Sequence, residues 1–132
     1  MAATPVFAAT PKYSGASLTT ATGAAELGTA APTNAVLLVT AAANGTYLRR
    51  LRAKVRNAAP TAGLLRVFLV NGGVYYLLME IDLASGAAAS ATVKSQDTDW
   101  VTLDLVIPTG WTVYVAETQA NNTTVHCEHA DI

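Results

Sequence analysis

Short apolar runs separated by turn-forming residues constrain the fold of this chain more than any other feature. From residue 34 onward, runs such as VLLV, LLRVFLV and WVTLDLVI alternate with glycine, proline and asparagine. Asn71–Gly72–Gly73 and Pro108–Thr109–Gly110 are the clearest breaks, because these residue types adopt the backbone angles that tight turns need. The spacing predicts many short strands and no helix, which favours an all-β antiparallel sandwich.

We predict seven strands after residue 34 and one short strand near Ala16–Thr20. Residues 1–33 are rich in Ala, Thr, Gly and Pro, so we expect an extended N-terminal arm (1–33) followed by a sandwich domain (34–132). Seven to eight strands in a domain of this size are typical of a jelly-roll-like sandwich. The seven predicted strands are Ala35–Thr40, Thr46–Arg56, Leu64–Val70, Val74–Leu83, Trp100–Ile107, Trp111–Thr118 and Thr124–His129.

The predicted strands differ in how many of their faces are apolar. Trp100–Ile107 alternates between apolar and other residues, as expected for a strand with one buried face. Leu64–Val70 and Tyr75–Leu83 instead carry large apolar residues on both faces. A strand of that kind needs a cover on each side, so we expect either a neighbouring subunit or a folded-back arm over this hairpin.

Composition and charge exclude several classes of protein. Only 13% of the 132 residues are charged and the net charge is −1, so no global field attracts nucleic acid or an acidic membrane. No run reaches the ~20 apolar residues of a membrane-spanning helix. The single cysteine, Cys127, excludes an internal disulfide, and the start MAATPVFAATPKY lacks the pattern of a secretion signal.

Five of the eight basic residues are concentrated in TYLRRLRAKVRN, residues 46–57. On a strand, Leu51, Ala53 and Val55 point to one face, and a row of four cations points to the other at roughly 6.5–7 Å spacing. The row lacks the interleaved aromatic residues of a nucleic-acid groove. We therefore favour an ion-paired or solvated face first, a protein-docking surface second and nucleic acid last. The row is Arg50, Arg52, Lys54 and Arg56, and its candidate acidic partners are Glu80, Asp82, Asp97, Asp99 and Asp104.

The HCEH sequence, His126 to His129, contains metal-ligand residue types, but the strand pattern separates them. His126 and Glu128 point to one face while Cys127 and His129 point to the other, so one ion cannot bind all four. A site completed across a symmetry axis stays open as an alternative. We find no nucleophile–base arrangement, no positioned carboxylate pair and no phosphate-binding loop, and we predict neither an enzyme nor a cofactor.

Taken in order along nearly the whole chain, a set of weak signals resembles a family of small structural proteins of tailed bacteriophages. A TPK arm is followed by a basic strand, a T-x-G-x-x-R-x-F segment, an acid-bearing strand and a P-x-G-aromatic turn. The GAAELGTAAP and HCEH stretches depart from this pattern, and nothing is carried over to them. The positions are Thr10–Lys12, Gly45, Arg49 to Arg56, Thr61, Gly63, Arg66, Phe68, Glu80, Pro108, Gly110, Trp111 and Asp131–Ile132.

The resemblance implies a capsid decoration (cement) protein with a jelly-roll-like fold and no catalytic residues. Such a protein is assembled in the bacterial cytoplasm and lies on the capsid surface of the virion. Its partners would be the major capsid protein and further copies of itself in a homotrimer, with no nucleic acid and no membrane. The residues that we expect to dock are Phe7, Lys12, Tyr13, Arg50, Arg52, Lys54, Arg56 and Trp100.

Two other functions are compatible with the same sequence. A tail or head–tail junction component would also be a β-sandwich, present in a ring's worth of copies. A carbohydrate- or receptor-binding module of a head fibre or tail tip would use Trp100, Tyr76 and Tyr114 to stack on sugar rings. We favour these rings as part of a subunit interface, where Tyr and Trp are enriched.

Overall fold

A computed structural model describes residues 10–23, 26–28, 30–56, 60–83, 89–94 and 98–132, and its regular structure in these ranges is entirely β. The predicted all-β class is confirmed, and the seven strands expected after residue 34 all form with ends shifted by at most two residues. No helix in the described ranges is long and apolar enough to cross a membrane. The strands are β1 (Thr10–Leu18), β2 (Val36–Thr40), β3 (Thr46–Val55), β4 (Gly63–Asn71), β5 (Val74–Leu83), β6 (Val101–Ile107), β7 (Thr112–Glu117) and β8 (Thr123–Asp131).

The eight strands form two four-stranded antiparallel sheets that pack as a sandwich. Sheet A has the strand order β1-β8-β3-β6, and sheet B has the order β2-β7-β4-β5. The pairing is nested: β1 pairs with β8, β2 with β7, β3 with β6 and β4 with β5. Only the innermost pair, β4–β5, is a tight hairpin, and it turns at the predicted position with Gly72 and Gly73 at positive φ.

The core lies between the sheets and follows the predicted alternation. In β6 the predicted inward residues Val101, Leu103 and Leu105 are less exposed than the residues between them. In β3 the predicted inward residues Leu51, Ala53 and Val55 are buried. Burial of these inward faces is the main source of stability, at roughly 25 cal/mol per Å² of apolar surface.

The predicted arm, residues 1–33, includes a long strand of sheet A. β1 begins at Thr10, six residues before the short strand that the sequence indicates, and pairs along its whole length with β8. Its inward residues Ala16 and Leu18 belong to the core. Phe7 lies outside the described residues, so the structure gives no account of its expected role.

The outer face of sheet B is covered by the described part of the segment between β1 and β2, which we call the strap (residues 19–23, 26–28 and 30–35). It meets β7 where the Thr22 amide donates to the Glu117 carbonyl at 2.7 Å, and it meets β5 at the bridge between Gly28 and Tyr76. Gly28 has φ +122°, and a Cβ there would lie 2.5 Å from the Tyr75 carbonyl oxygen, so the close approach requires glycine.

Beneath and beside the strap lies a second apolar cluster. Phe68, Val70 and Ala116 are buried on this outer face, and the strap residue Ala35 packs against them. The apolar outer face of the β4–β5 hairpin is therefore covered by a segment of its own chain that folds back over it. Of the two covers that the sequence allows, the structure contains the folded-back segment.

Candidate functional site: the open face of sheet A

The outer surface of sheet A, here called the open face, carries the predicted row of cations. Arg50, Arg52 and Lys54 are partly exposed and Arg56 is exposed, whereas the residues between them are buried. In register, Arg52 lies opposite His126 of β8, and Lys54 lies opposite Thr124. The predicted geometry of the basic strand is thus confirmed.

A bulge in β3 adds a fifth cation to this face. Against β8, the register of β3 shifts between Leu48 and Arg50 so that Arg49 is an extra residue in β3. Against β6 the shift at the same place has the opposite sense, with Leu103 and Asp104 of β6 opposite Arg49. The bulge lets Arg49 and Arg50 both lie outside while Leu48 and Leu51 are buried. Strict alternation would place Arg49 in the core, and two adjacent arginines in an alternating strand are the sequence signal for this bulge.

The cation at the centre of the face is held by Glu128 of β8. Arg50 donates from Nε and Nη2 to the two carboxylate oxygens of Glu128 at 2.7 and 2.9 Å, and Arg49 Nη1 approaches the same carboxylate at 3.2 Å. The two-pronged contact fixes the plane of the guanidinium group. The hydrogen bond from Arg50 lowers the pKa of Glu128, so this carboxylate stays ionised.

Trp100 lies on the same face, beneath two of the arginines. The Arg50 guanidinium carbon is 4.2 Å from a Trp100 ring centroid, and that of Arg52 is 5.5 Å away. Thr98 positions this segment beside β3, because Ala53 and Thr98 exchange two hydrogen bonds of 2.9 Å. The structure therefore brings Arg50, Arg52 and Trp100 together, with the cations over the ring face.

The remaining predicted residues lie at the end of the row or beside it on β1. Arg56 Nη2 donates to Ser17 Oγ of β1 at 2.8 Å. Tyr13 is 60% exposed, and its ring centroid is 5.7 Å from that of His126. Lys12 is apart from the row, on the edge strand β1, with its Nζ 3.9 Å from Asp131.

A shallow cavity of about 290 Å³ opens where β1, β8 and β3 meet. Two cations line it, Lys12 on β1 and Arg49 on β3. Glu128 lies between them, because β8 lies between β1 and β3 in sheet A. The cavity can receive a small side chain from a partner, since pockets of this kind anchor interfaces. Its lining is Pro11, Lys12, Tyr47, Arg49, Glu128, His129 and Ala130.

Three of the HCEH residues lie on the faces that the sequence predicts. Cys127 points to the core, and His126 and Glu128 point to the open face, opposite Arg52 and Arg50. Cys127 is buried in the core, and burial raises the pKa of its thiol to about 12, so it stays protonated. Among the described residues, no three His, Cys, Asp or Glu side chains are grouped so that they could hold a metal ion.

Ser14 of β1 and His129 of β8 are in hydrogen-bond contact. Ser14 Oγ lies 2.7 Å from His129 Nε2, but the buried Nδ1 of His129 has no hydrogen-bond partner among the described residues. A nucleophilic serine needs a base that a third group orients through that nitrogen. The contact therefore has the geometry of a structural hydrogen bond between β1 and β8.

The acidic partner that the structure describes for Arg49 and Arg50 is a residue that sequence reasoning missed, and the predicted partner Asp97 lies outside the described residues. Of the predicted acids, Glu80 lies on sheet B near Arg66, and Asp104 accepts a hydrogen bond from Tyr47 at 2.6 Å. The described partner of Arg49 and Arg50 is instead Glu128, which is remote in sequence and adjacent only because β8 lies beside β3. We find no match for this chain among protein-family models, curated proteins or solved structures.

Proposed function

We propose that this protein is a non-catalytic structural protein of a bacteriophage virion that decorates the head. It would bind the major capsid protein through the open face, self-associate as a homotrimer and use neither nucleic acid nor membrane as a partner. The family resemblance in the sequence supplies the class of protein. The structural observation that carries the proposal is the open face itself, a surface of cations and aromatic rings on a rigid sheet.

The chemistry of the open face supports docking onto an acidic protein surface. Its cations are held in place by the Glu128 carboxylate and the Trp100 ring, which reduces the conformational entropy lost when a partner binds. Arg and Trp are enriched at the centres of protein interfaces. An exposed sheet face with a small cavity beside it suits a broad contact better than the enclosure of a small molecule.

We also propose that the sandwich is a jelly roll. The nested pairing of first strand with last, through to the central β4–β5 hairpin, supports that connectivity. Rolling up a folded ribbon of four strand pairs gives two four-stranded sheets. Such a rigid β-domain can bridge neighbouring capsid subunits, with many modest contacts adding up over a symmetric shell.

Co-sedimentation with phage heads tests the proposed function. We expect saturable binding of the purified protein to expanded heads and none to unexpanded heads. The double variant Arg52→Glu/Lys54→Glu should bind at least about tenfold more weakly, because like charges across an interface repel. The wild-type affinity should also fall as salt is raised.

Lys94→Glu is the matched control, because Lys94 is an exposed cation in the connector between β5 and β6. It changes the net charge by the same amount per residue and should leave head binding unchanged. Equal loss in both variants would show a non-specific charge effect and remove the open face from the proposal. Absence of wild-type binding to either form of head would refute decoration.

A carbohydrate-binding module is the second candidate, and one observation bears on it. Tyr13 is exposed on the open face, as sugar-stacking rings are. The other ring of that face, Trp100, already has two guanidinium groups within 5.5 Å of its centroid, and Tyr114 packs against Tyr75 beneath the strap side of sheet B. These contacts favour a protein partner, and specific retention on a glycan array would favour the second candidate.

A further inference from the structure

Each of the four edge strands carries one exposed large apolar side chain. They are Tyr13 on β1 (60% exposed), Leu37 on β2 (45%), Tyr76 on β5 (52%) and Val106 on β6 (47%). Edge strands of soluble proteins are normally protected by charge, proline or a covering segment, because they otherwise pair with other chains. Among the described residues, the strap meets the β5 edge at the Gly28–Tyr76 bridge, where Gly28 lies close to the Tyr75 carbonyl. At these edges a second protein chain would bury apolar side chains that are otherwise in water.

The two sides of the sandwich differ in how well they close. On the β1–β2 side, the inward residues Ala16 and Leu18 of β1 are buried. Val36 of β2 is partly buried. On the β5–β6 side, the residues at the strand ends, Leu83 and Ile107, are buried, but three further inward residues are only partly buried although they pack against the same core. These three residues are Met79, Ile81 and Leu103. The β5–β6 side is therefore a partly open apolar edge, and a partner that covers it gains more buried area.

The same two sides differ in charge. β5 and β6 carry three carboxylates, Glu80, Asp82 and Asp104, and no cation. β1 and β2 carry one cation, Lys12, and no carboxylate. Arg66 compensates part of the charge of Glu80, since its Nε lies 3.7 Å from that carboxylate. Two β5–β6 sides would face each other with like charges. The β1–β2 side does not repel the acidic side, because its strands carry no carboxylate and Lys12 lies 3.9 Å from Asp131 of β8.

We propose that the β5–β6 side of one copy binds the β1–β2 side of a second copy. Tyr76 and Val106 would pack against Tyr13 and Leu37 of the next molecule, with Lys12 meeting the acidic edge. Contacts between two different surfaces of the same chain produce rings when the rotation closes. This inference rests on the self-association within the proposed function and not on head binding, and it leaves the arginine row and Trp100 free to face the capsid.

Mixing two variants tests the head-to-tail geometry. Tyr76→Glu places a charge on the β5–β6 side, and Leu37→Glu places one on the β1–β2 side, so each variant alone should be monomeric by light scattering. Mixed in equal amounts, they should form a dimer containing one chain of each, because only one intact pair of sides remains. The wild-type chain should form a closed oligomer larger than a dimer.

Val93→Glu is the matched control, because Val93 is exposed and apolar but lies in the connector between β5 and β6. It should assemble as the wild type does. All three variants should keep the wild-type circular dichroism spectrum, since each changed side chain is exposed, and Val93→Glu should also keep the wild-type thermal transition. A monomeric wild type, or an assembly that Leu37→Glu leaves intact, would overturn the inference. So would a mixture that forms no heterodimer.

Head binding measured on the same samples separates this inference from the proposed function. A ring that ignores heads would refute decoration and keep the head-to-tail contact. A monomer that binds heads through the arginine row would refute the head-to-tail contact and keep decoration.

Discussion

The two outer faces of this sandwich have similar strand patterns, but the outward side chains on the central strands of sheet A are at the surface and those on the central strands of sheet B are covered. On sheet A the outward arginines remain at the surface, and the aromatic ring among them lies beneath guanidinium groups. On sheet B the outward residues Phe68 and Arg66 are 0% and 4% exposed. The difference comes from the strap, which crosses sheet B, whereas no segment in the described part of the chain crosses the arginine row on sheet A. A connecting segment, and not the strands themselves, decides which face is available to a partner.

Arg66 and Arg50 show the same contrast at the level of a single residue type. The Arg66 guanidinium is buried and donates from Nη1 to the carbonyls of Gly23 and Glu26 in the strap, at 3.0 and 3.2 Å. Arg50 is held by a carboxylate on its own sheet and keeps a solvent-facing side. A buried guanidinium needs fixed partners to offset its desolvation, so Arg66 holds the strap in place.

The largest expected difference between the faces concerns apolar packing. Phe68→Ala should lower the free energy of unfolding by about 3–5 kcal/mol, because it leaves a cavity under the covered face. Val106→Ala on the open face of sheet A should cost less than about 0.5 kcal/mol in the isolated chain. Denaturant unfolding measures both. Comparable losses would contradict the assignment of one covered and one open face.

Acid should loosen the strap over the covered face. The Glu26 carboxylate accepts hydrogen bonds from the Thr22 and Thr33 hydroxyls at 2.7 Å, and chiefly these bonds lower its pKa from 4.5 to about 2. A carboxyl whose folded-state pKa is depressed stabilises the fold above its unfolded pKa and loses that effect as pH falls. The stability advantage of wild type over Glu26→Gln should therefore be complete near pH 6 and decline between about pH 4.5 and 2.

Hydrogen exchange of the Thr33 amide, which donates to Glu26, reports this change locally. Asp82→Asn serves as the control, since Asp82 is an exposed carboxylate on β5 outside the strap. An advantage of wild type over Glu26→Gln that stays constant down to pH 2 would show that the strap does not depend on this carboxylate.

The smallest expected effect concerns the ion pair of the open face. Glu128→Gln should change the stability much less than Phe68→Ala, because partly exposed ion pairs contribute little and are screened by salt. Its effect should instead appear in the orientation of Arg50 over Trp100, measured as a change in tryptophan fluorescence. A large loss of stability would mean that the open face is held together as tightly as the covered one.

Sequence reasoning predicted those parts of the fold that depend on local pattern. The alternation in β3 and β6 and the turn at Gly72–Gly73 follow from side-chain period and backbone preference, and they are confirmed. β1 was predicted only as a short strand because its residues, TPKYSGASL, are small and polar. Its extent is set by pairing with β8 at the other end of the chain, which no local pattern contains.

The same limit applies to the open face. The outward direction of Arg50, Arg52 and Lys54 could be predicted, because it needs only the period of one strand. The partner Glu128 could not, because it depends on which strands are neighbours. The cover of β4 and β5 was predicted to exist, and its source became clear only from the contacts of Ala35 and Gly28 with sheet B.

The nested strand pairing also has a consequence for how the chain reaches its native state. Thr10 pairs with Asp131, so sheet A cannot close its β1–β8 ladder until nearly all of the described chain has been synthesised. Contacts that are so distant in sequence make folding slow, because each long loop must be closed before its pairing adds stability. The β4–β5 hairpin, closed by a two-residue turn, is the natural place for folding to begin. During the interval before β1 and β8 meet, the apolar strands between them are exposed, and this is when the nascent protein is most prone to aggregate.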